Sequence, residues 1–202
     1  MPKPQRSKPP SQRSQKVSYD RASAMHEAGH AVLMALLGHP LDHCTIKRFK
    51  KEDGITSKGH ADGGVVNNQD IAGKGRDAVM PLLIVLMAGV QAEKHVAATD
   101  ARKTGRSDFE TANKFALMAL CEAVVEGVNA TITEEEVARK SDLIRETLEA
   151  ASAEAERLVG ENIAAITAVA ERLLRRVTVP GDEVRAIVAG TRSAGPPHDP
   201  HE

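Results

Sequence analysis

At 202 residues the chain is of single-domain length, long enough to bury roughly two-thirds or more of its unfolded surface, and 27 basic residues against 28 acidic ones leave a formal net charge of -1. That balance supplies no global basic field for nucleic acid or anionic lipid, and three Phe, one Tyr and no Trp supply no stacking platforms for single strands. Cys44 and Cys121 form no C-x-x-C pair, which excludes a disulfide scaffold or thiolate zinc finger and points to a reducing, cytoplasmic setting.

In chain order, residues 1–17 read as a disordered basic arm carrying Lys3, Arg6, Lys8, Arg13 and Lys16, without the apolar stretch of a secretory signal. Ser18 is the expected cap of a first helix whose Ala22, Met25, Gly29, Val32, Leu33 and Leu36 recur at three- and four-residue spacing, ended by Gly38 and Pro40. From Leu41 to Val66, short segments around the turn signal Asp53-Gly54 are the only part that reads as sheet. A second helix is expected over about Asp77 to Ala98, with Pro81 near its first turn or kinking it. Its apolar run from Ala78 to Ala92 falls short of the ~20 residues of a membrane span and suits a buried core helix.

Ser107 and Glu110 have the spacing of a capping box, predicting a third helix to about Glu126, stopped by Gly127, with Phe109, Ala112, Phe115, Ala116 and Leu120 turned inward. Thr133 and Glu136 repeat the box and open a helical stretch that passes Arg175 with a break near Gly160. A short helix with Val184, Ile187 and Val188 follows Pro180-Gly181, and residues 193–202 read as a disordered tail. The expected fold is mainly α (α+β): one helical domain over 18–192 with a small β-sheet.

The first helix contains His26-Glu27-Ala28-Gly29-His30, an H-E-x-x-H pattern. Residues four apart share a helical face, so both imidazoles can reach one zinc ion while Glu27 holds its water. A catalytic zinc needs a third protein ligand. His95 and Glu93 on the second helix and Asp108 and Glu110 at the start of the third are the candidates. Asp108 has first-turn placement in its favour, where the helix dipole stabilises a carboxylate. His39, His43 and His60 read as surface histidines of the strand region, and His198 and His201 belong to the tail.

These residues, together with Ala88-Gly89-Val90-Gln91-Ala92-Glu93, Thr104-Gly105-Arg106-Ser107-Asp108, Glu161-Asn162, Val169-Ala170-Glu171-Arg172-Leu173-Leu174 and Gly181-Asp182-Glu183-Val184, resemble the peptidase domain of the FtsH-type ATP-dependent zinc metalloproteases over about Tyr19 to Val188. The resemblance implies a helical zincin-like peptidase domain in which His26, His30 and Asp108 bind one zinc and Glu27 is the general base. Glu93 matches a family glutamate that is not a ligand, which implies a supporting role. The chain has one residue fewer before Asp108 than the family's Thr-Gly-Ala-Ser-Asn-Asp. It also lacks a G-x-x-x-x-G-K-[ST] loop, and neither an ATPase module nor a membrane anchor is expected.

The expected function is therefore zinc-dependent endopeptidase cleavage of peptides or unfolded protein segments without intrinsic ATP-driven unfolding. A homo-oligomer or a motor protein acting in trans are the conceivable partners, with no nucleic acid. The alternatives are a non-catalytic metal-binding regulatory or partner-binding module of the same fold, and a structural helical protein with an incidental motif.

Overall fold

The computed structural model describes residues 12–47, 49–50, 56–57, 59–63, 71–96, 105–126 and 129–193. Among them the elements run α1 (Gln12–Leu36), β1 (His43–Thr45), β2 (Phe49–Lys50), β3 (Thr56–Ser57), β4 (His60–Asp62), α2 (Arg76–Glu93), α3 (Arg106–Leu120), β5 (Val124–Glu126), β6 (Asn129–Thr131), α4 (Glu134–Glu161), α5 (Ile163–Arg176), β7 (Thr178–Pro180) and α6 (Gly181–Ser193). The fold is mainly helical with a small antiparallel sheet, as the sequence predicts. No described helix is long and apolar enough to cross a membrane.

α1 is the central element, packed on α2, α5 and α6, while α2 in turn packs on α3 and α4. Their shared core is aliphatic, with Leu33, Leu83, Ile166 and Leu173 fully buried, each worth about 1.5–3 kcal/mol of transfer free energy. Small residues let α1 and α2 approach closely: a Cβ at Gly29 would lie 2.7 Å from the Ala88 carbonyl oxygen and from Ala92 Cβ. α1 stops where expected. Gly38 takes a positive φ of 75°, and the His39 N–H closes back on the Met34 carbonyl at 2.9 Å.

Its beginning differs. α1 starts at Gln12 instead of Ser18, because Gln12 to Val17 holds no Gly or Pro to stop the helix from extending back toward Pro9-Pro10. The basic arm is thus helical from residue 12, and residues 1–11 and 194–202 lie outside the described ones. α2 ends at Glu93, with a turn over 94–96, and Ala97 and Ala98 lie outside the described residues. Pro81 sits inside α2, past its first turn.

α3 corrects three expectations. Its N-cap is Gly105, with no side-chain cap. Ser107 lies inside the first turn, where its carbonyl accepts the Thr111 hydroxyl, and Glu110 instead pairs with the Arg106 guanidinium at 2.8 Å. The Ser107–Glu110 box does not form because the helix starts one residue ahead of Ser107. At its other end α3 stops at Leu120, not Glu126: Cys121 is extended, and the Glu122 N–H goes to Glu136 Oε1 at 3.0 Å. The β-branched Val124-Val125 pair then enters a hairpin with Asn129–Thr131. Phe109, expected inward, is 54% exposed.

The second capping box is half formed, since Thr133 Oγ1 accepts the Glu136 N–H at 3.2 Å while the Glu136 carboxylate turns to Glu122 N–H and Arg139. The break falls at Asn162, two residues beyond Gly160. The sheet has the order β4-β1-β7, all antiparallel. Its middle rung is Ala61, Cys44 and Val179, with Cys44 and Val179 fully buried. The sheet therefore extends beyond Leu41–Val66 and takes a strand from the far end of the chain. Three-residue strands such as β7 are too short to show a period of two.

Candidate metal centre

His26, Glu27 and His30 lie on the stretch of α1 that α2 crosses, each 8–9% exposed. The two imidazoles turn their Nε2 atoms toward each other at 3.1 Å. Asp108, in the first turn of α3, brings Oδ2 to 3.0 Å from His26 Nε2 and 3.6 Å from His30 Nε2. Donors around a tetrahedral zinc, with bonds of about 2.0–2.1 Å, stand about 3.3–3.4 Å apart. The three atoms form a triangle of that size.

The outer ring nitrogens are also held. His30 Nδ1 donates to the Val85 carbonyl at 2.7 Å, and His26 Nδ1 faces Glu93 Oε2 at 3.4 Å. The Val85 contact keeps the His30 proton on Nδ1 and leaves its Nε2 lone pair for a cation, and the Glu93 carboxylate stands on the Nδ1 side of His26, where it favours the same tautomer once Nε2 is bound. Glu93, 2% exposed, touches the histidine's far side and not the triangle, the arrangement expected of a supporting carboxylate. Of the other sequence candidates, Glu110 is bound to Arg106 and His95 lies in the turn after α2.

Two glycines that sequence reasoning gave no role in the centre shape it. A Cβ at Gly89 on α2 would overlap His30 Nε2 and stand 2.7 Å from His26 Nε2, so a bare α-carbon is what leaves the donors room. A Cβ at Gly59, at the entrance to β4, would lie 2.8 Å from Glu27 Oε1 and 2.7 Å from the Thr45 carbonyl. Cys44 Sγ donates to the Glu27 carbonyl at 3.3 Å. The sheet is thereby seated directly beside Glu27. A glycine inside a long apolar helix was the one signal that could have pointed to Gly89.

The local field calls for a cation. Burial works against a charged His26, yet Asp108, Glu93 and Glu27 outweigh it and raise its pKa to about 10. Burial opposes the Asp108 charge as well, but the two histidines hold its pKa well below the ordinary carboxylate range. Burial raises Glu27, against the pull of His30 and His26. Asp108 Oδ2 is buried with no hydrogen bond of good geometry, as suits an atom that takes a metal. The donor set, two imidazoles and a carboxylate, fits zinc.

A cleft of about 960 Å³ opens beside Asp108 between α2, α3 and α4, lined by Leu86, Val90, Phe109, Leu117, Ile144 and Leu148 with Lys94, Arg106 and Arg145 among its polar residues. Set against known proteins, the chain matches no family model and no curated protein.

Proposed function

We propose that the protein is a zinc-dependent metalloendopeptidase of the kind its sequence resembles, acting on peptides or unfolded segments. The observation that carries this reading is the triangle of His26 Nε2, His30 Nε2 and Asp108 Oδ2 with the buried Glu27 carboxylate next to it on the same helix. A zinc held by those three donors would supply Lewis acidity to the scissile carbonyl and acidify the attacking water. Glu27 takes the proton of that water and passes it to the leaving amine nitrogen; a carboxylate whose pKa is raised by burial is better matched to that task than a solvated one. Glu93 and the Val85 carbonyl keep the imidazoles in the tautomer that presents Nε2.

Among the described residues β4 is at the sheet's edge, and it begins directly after Gly59, beside Glu27. An extended substrate pairing there would lay its backbone past the general base. The apolar cleft beside Asp108 has room for a large side chain of such a substrate. A cytoplasmic setting is consistent with the buried, unpaired thiols of Cys44 and Cys121.

Metal analysis and a peptide-cleavage assay on two variants test the reading. Purified protein should carry one tightly held zinc, lost in the His26→Ala, His30→Ala variant. Glu27→Gln should keep that zinc and lose about a hundredfold or more in turnover, the range for a missing general base. Cleavage at a near-normal rate in Glu27→Gln would remove the mechanism; wild-type protein that binds zinc but cleaves nothing would favour a binding module.

A further inference from the structure

We propose that His43, His60 and Asp62 form a second, weaker divalent transition-metal site on the sheet, separate from the centre at His26. His43 on β1 stands opposite Asp62 on β4, and His60 lies two residues before Asp62 on the same strand. The two-residue period puts all three side chains on one face, the reverse of the face on which Cys44 meets α1. A directly opposed pair and its diagonal neighbour are the cross-strand positions whose side chains can touch.

Here they do. The imidazoles of His43 and His60 meet edge to face with centroids 5.4 Å apart. One ligand atom from each of the three residues lies within 4.8 Å of the others. Small rotations about the side-chain bonds bring such atoms to the about 3.3–3.4 Å separation of a coordination sphere. The histidines are half-buried and Asp62 is exposed.

The backbone that carries the triad is held in place from several sides. The Asp42 N–H donates to the Asp62 carbonyl at 2.7 Å, the Gly181 N–H to the Asp42 carbonyl at 2.8 Å, and Arg185 Nη1 to the Leu41 carbonyl at 3.1 Å. Gly63 sits so close to Pro40 that a Cβ would overlap its carbonyl oxygen. Only side chains need to move for the site to close.

Two nitrogen donors and one carboxylate oxygen suit zinc, nickel, copper or cobalt, and disfavour calcium and magnesium, which take oxygen donors. The three donors come from one side and leave positions for water. Affinity is lower than at His26, because Asp62 stands in solvent. A cation there bridges β1 and β4, and so braces the strand edge that adjoins Glu27.

Zinc uptake by equilibrium dialysis decides the matter, in a background with His198→Ala and His201→Ala so that the tail adds no imidazole. The background protein should saturate at two zinc per chain, and both His26→Ala, His30→Ala and His43→Ala, His60→Ala should saturate at one, with circular dichroism reporting the helical fold. A background protein that saturates at one zinc, kept in His43→Ala, His60→Ala and lost in the other variant, overturns the second site and leaves the peptidase reading standing. One zinc with the reverse pattern upholds the second site and overturns the assignment at His26. Should the strand variant fail to fold, Asp62→Asn at its exposed position replaces it: zinc affinity at the weaker site should fall at least about tenfold, and an unchanged affinity overturns the triad.

Discussion

A hydrogen where other residues carry a methyl decides whether two imidazoles can face a cation. Gly89 lies on α2 against both Nε2 atoms, so Gly89→Ala drives a carbon into the two donors that would hold the ion. Alanine is the better helix former by about 1 kcal/mol, and α2 itself should not suffer. The expected outcome is protein that keeps its helical signal and binds zinc at the His26 centre at least about tenfold more weakly, read by dialysis against a competing chelator. Glu93 acts at the same scale from the other side of His26. Removing its carboxylate in Glu93→Gln leaves all three donors present but loosens the ring, and should cost about 10- to 100-fold in zinc affinity. A larger effect, equal to that of Asp108→Ala, would make Glu93 a ligand.

Among the elements, α4 shows how a cap and a charge work together. Thr133 closes its first turn, and the carboxylate of Glu136 in that same turn holds the Glu122 N–H just beyond the end of α3 while pairing with Arg139. The backbone N–H of Glu122, and then the Arg139 guanidinium, lower the Glu136 pKa below its ordinary value. A carboxylate with a depressed folded pKa contributes stability that is complete above its unfolded value, about 4.3, and is lost as pH falls through the folded one. Glu136→Gln should therefore lower the denaturation midpoint at neutral pH, and the gap to wild type should close as the pH drops below about 4. Equal destabilisation at both pH values would show that shape rather than charge is at work.

In the whole molecule, a metal at the His26 centre would tie α1 to α3 across α2, since two donors come from one helix and the third from another. An ion bound only by the folded state adds about 2.7 kcal/mol of stability at a hundred times its Kd. Chelation should thus lower the melting temperature as well as stop peptide cleavage, and readded zinc should restore both. Because the 202-residue chain carries no phosphate-binding loop, casein turnover by the purified protein should be the same with and without ATP and magnesium. A clear rise with ATP would contradict that.

The features legible before folding are those that depend on neighbours along the chain. Three- and four-residue spacing showed the helices, Gly38 ended α1, Thr133 capped α4, and the H-E-x-x-H spacing put His26 and His30 on one face, because helix hydrogen bonds and caps connect residues no more than a turn or so apart. The folded chain decided the rest. Asp108 rather than Glu110 meets the histidines because residues two apart on a helix point about 200° apart, so the turn of α3 that aims Asp108 at them leaves Glu110 in solvent beside Arg106. Phe109 stays exposed because the helices it faces stand back across the open cleft beside Asp108, although its spacing matched Ala112 and Ala116. The short strands β5, β6 and β7 were invisible because their hydrogen bonds come from another strand and three residues carry too little pattern to announce it. Val177 shows the same cause at one residue: a β-branched side chain does not choose a φ of 69°. It is held there because its carbonyl receives both the Ile46 N–H and the Thr45 hydroxyl from β1 and the residue beyond it, contacts that exist only once the ends of the chain have met.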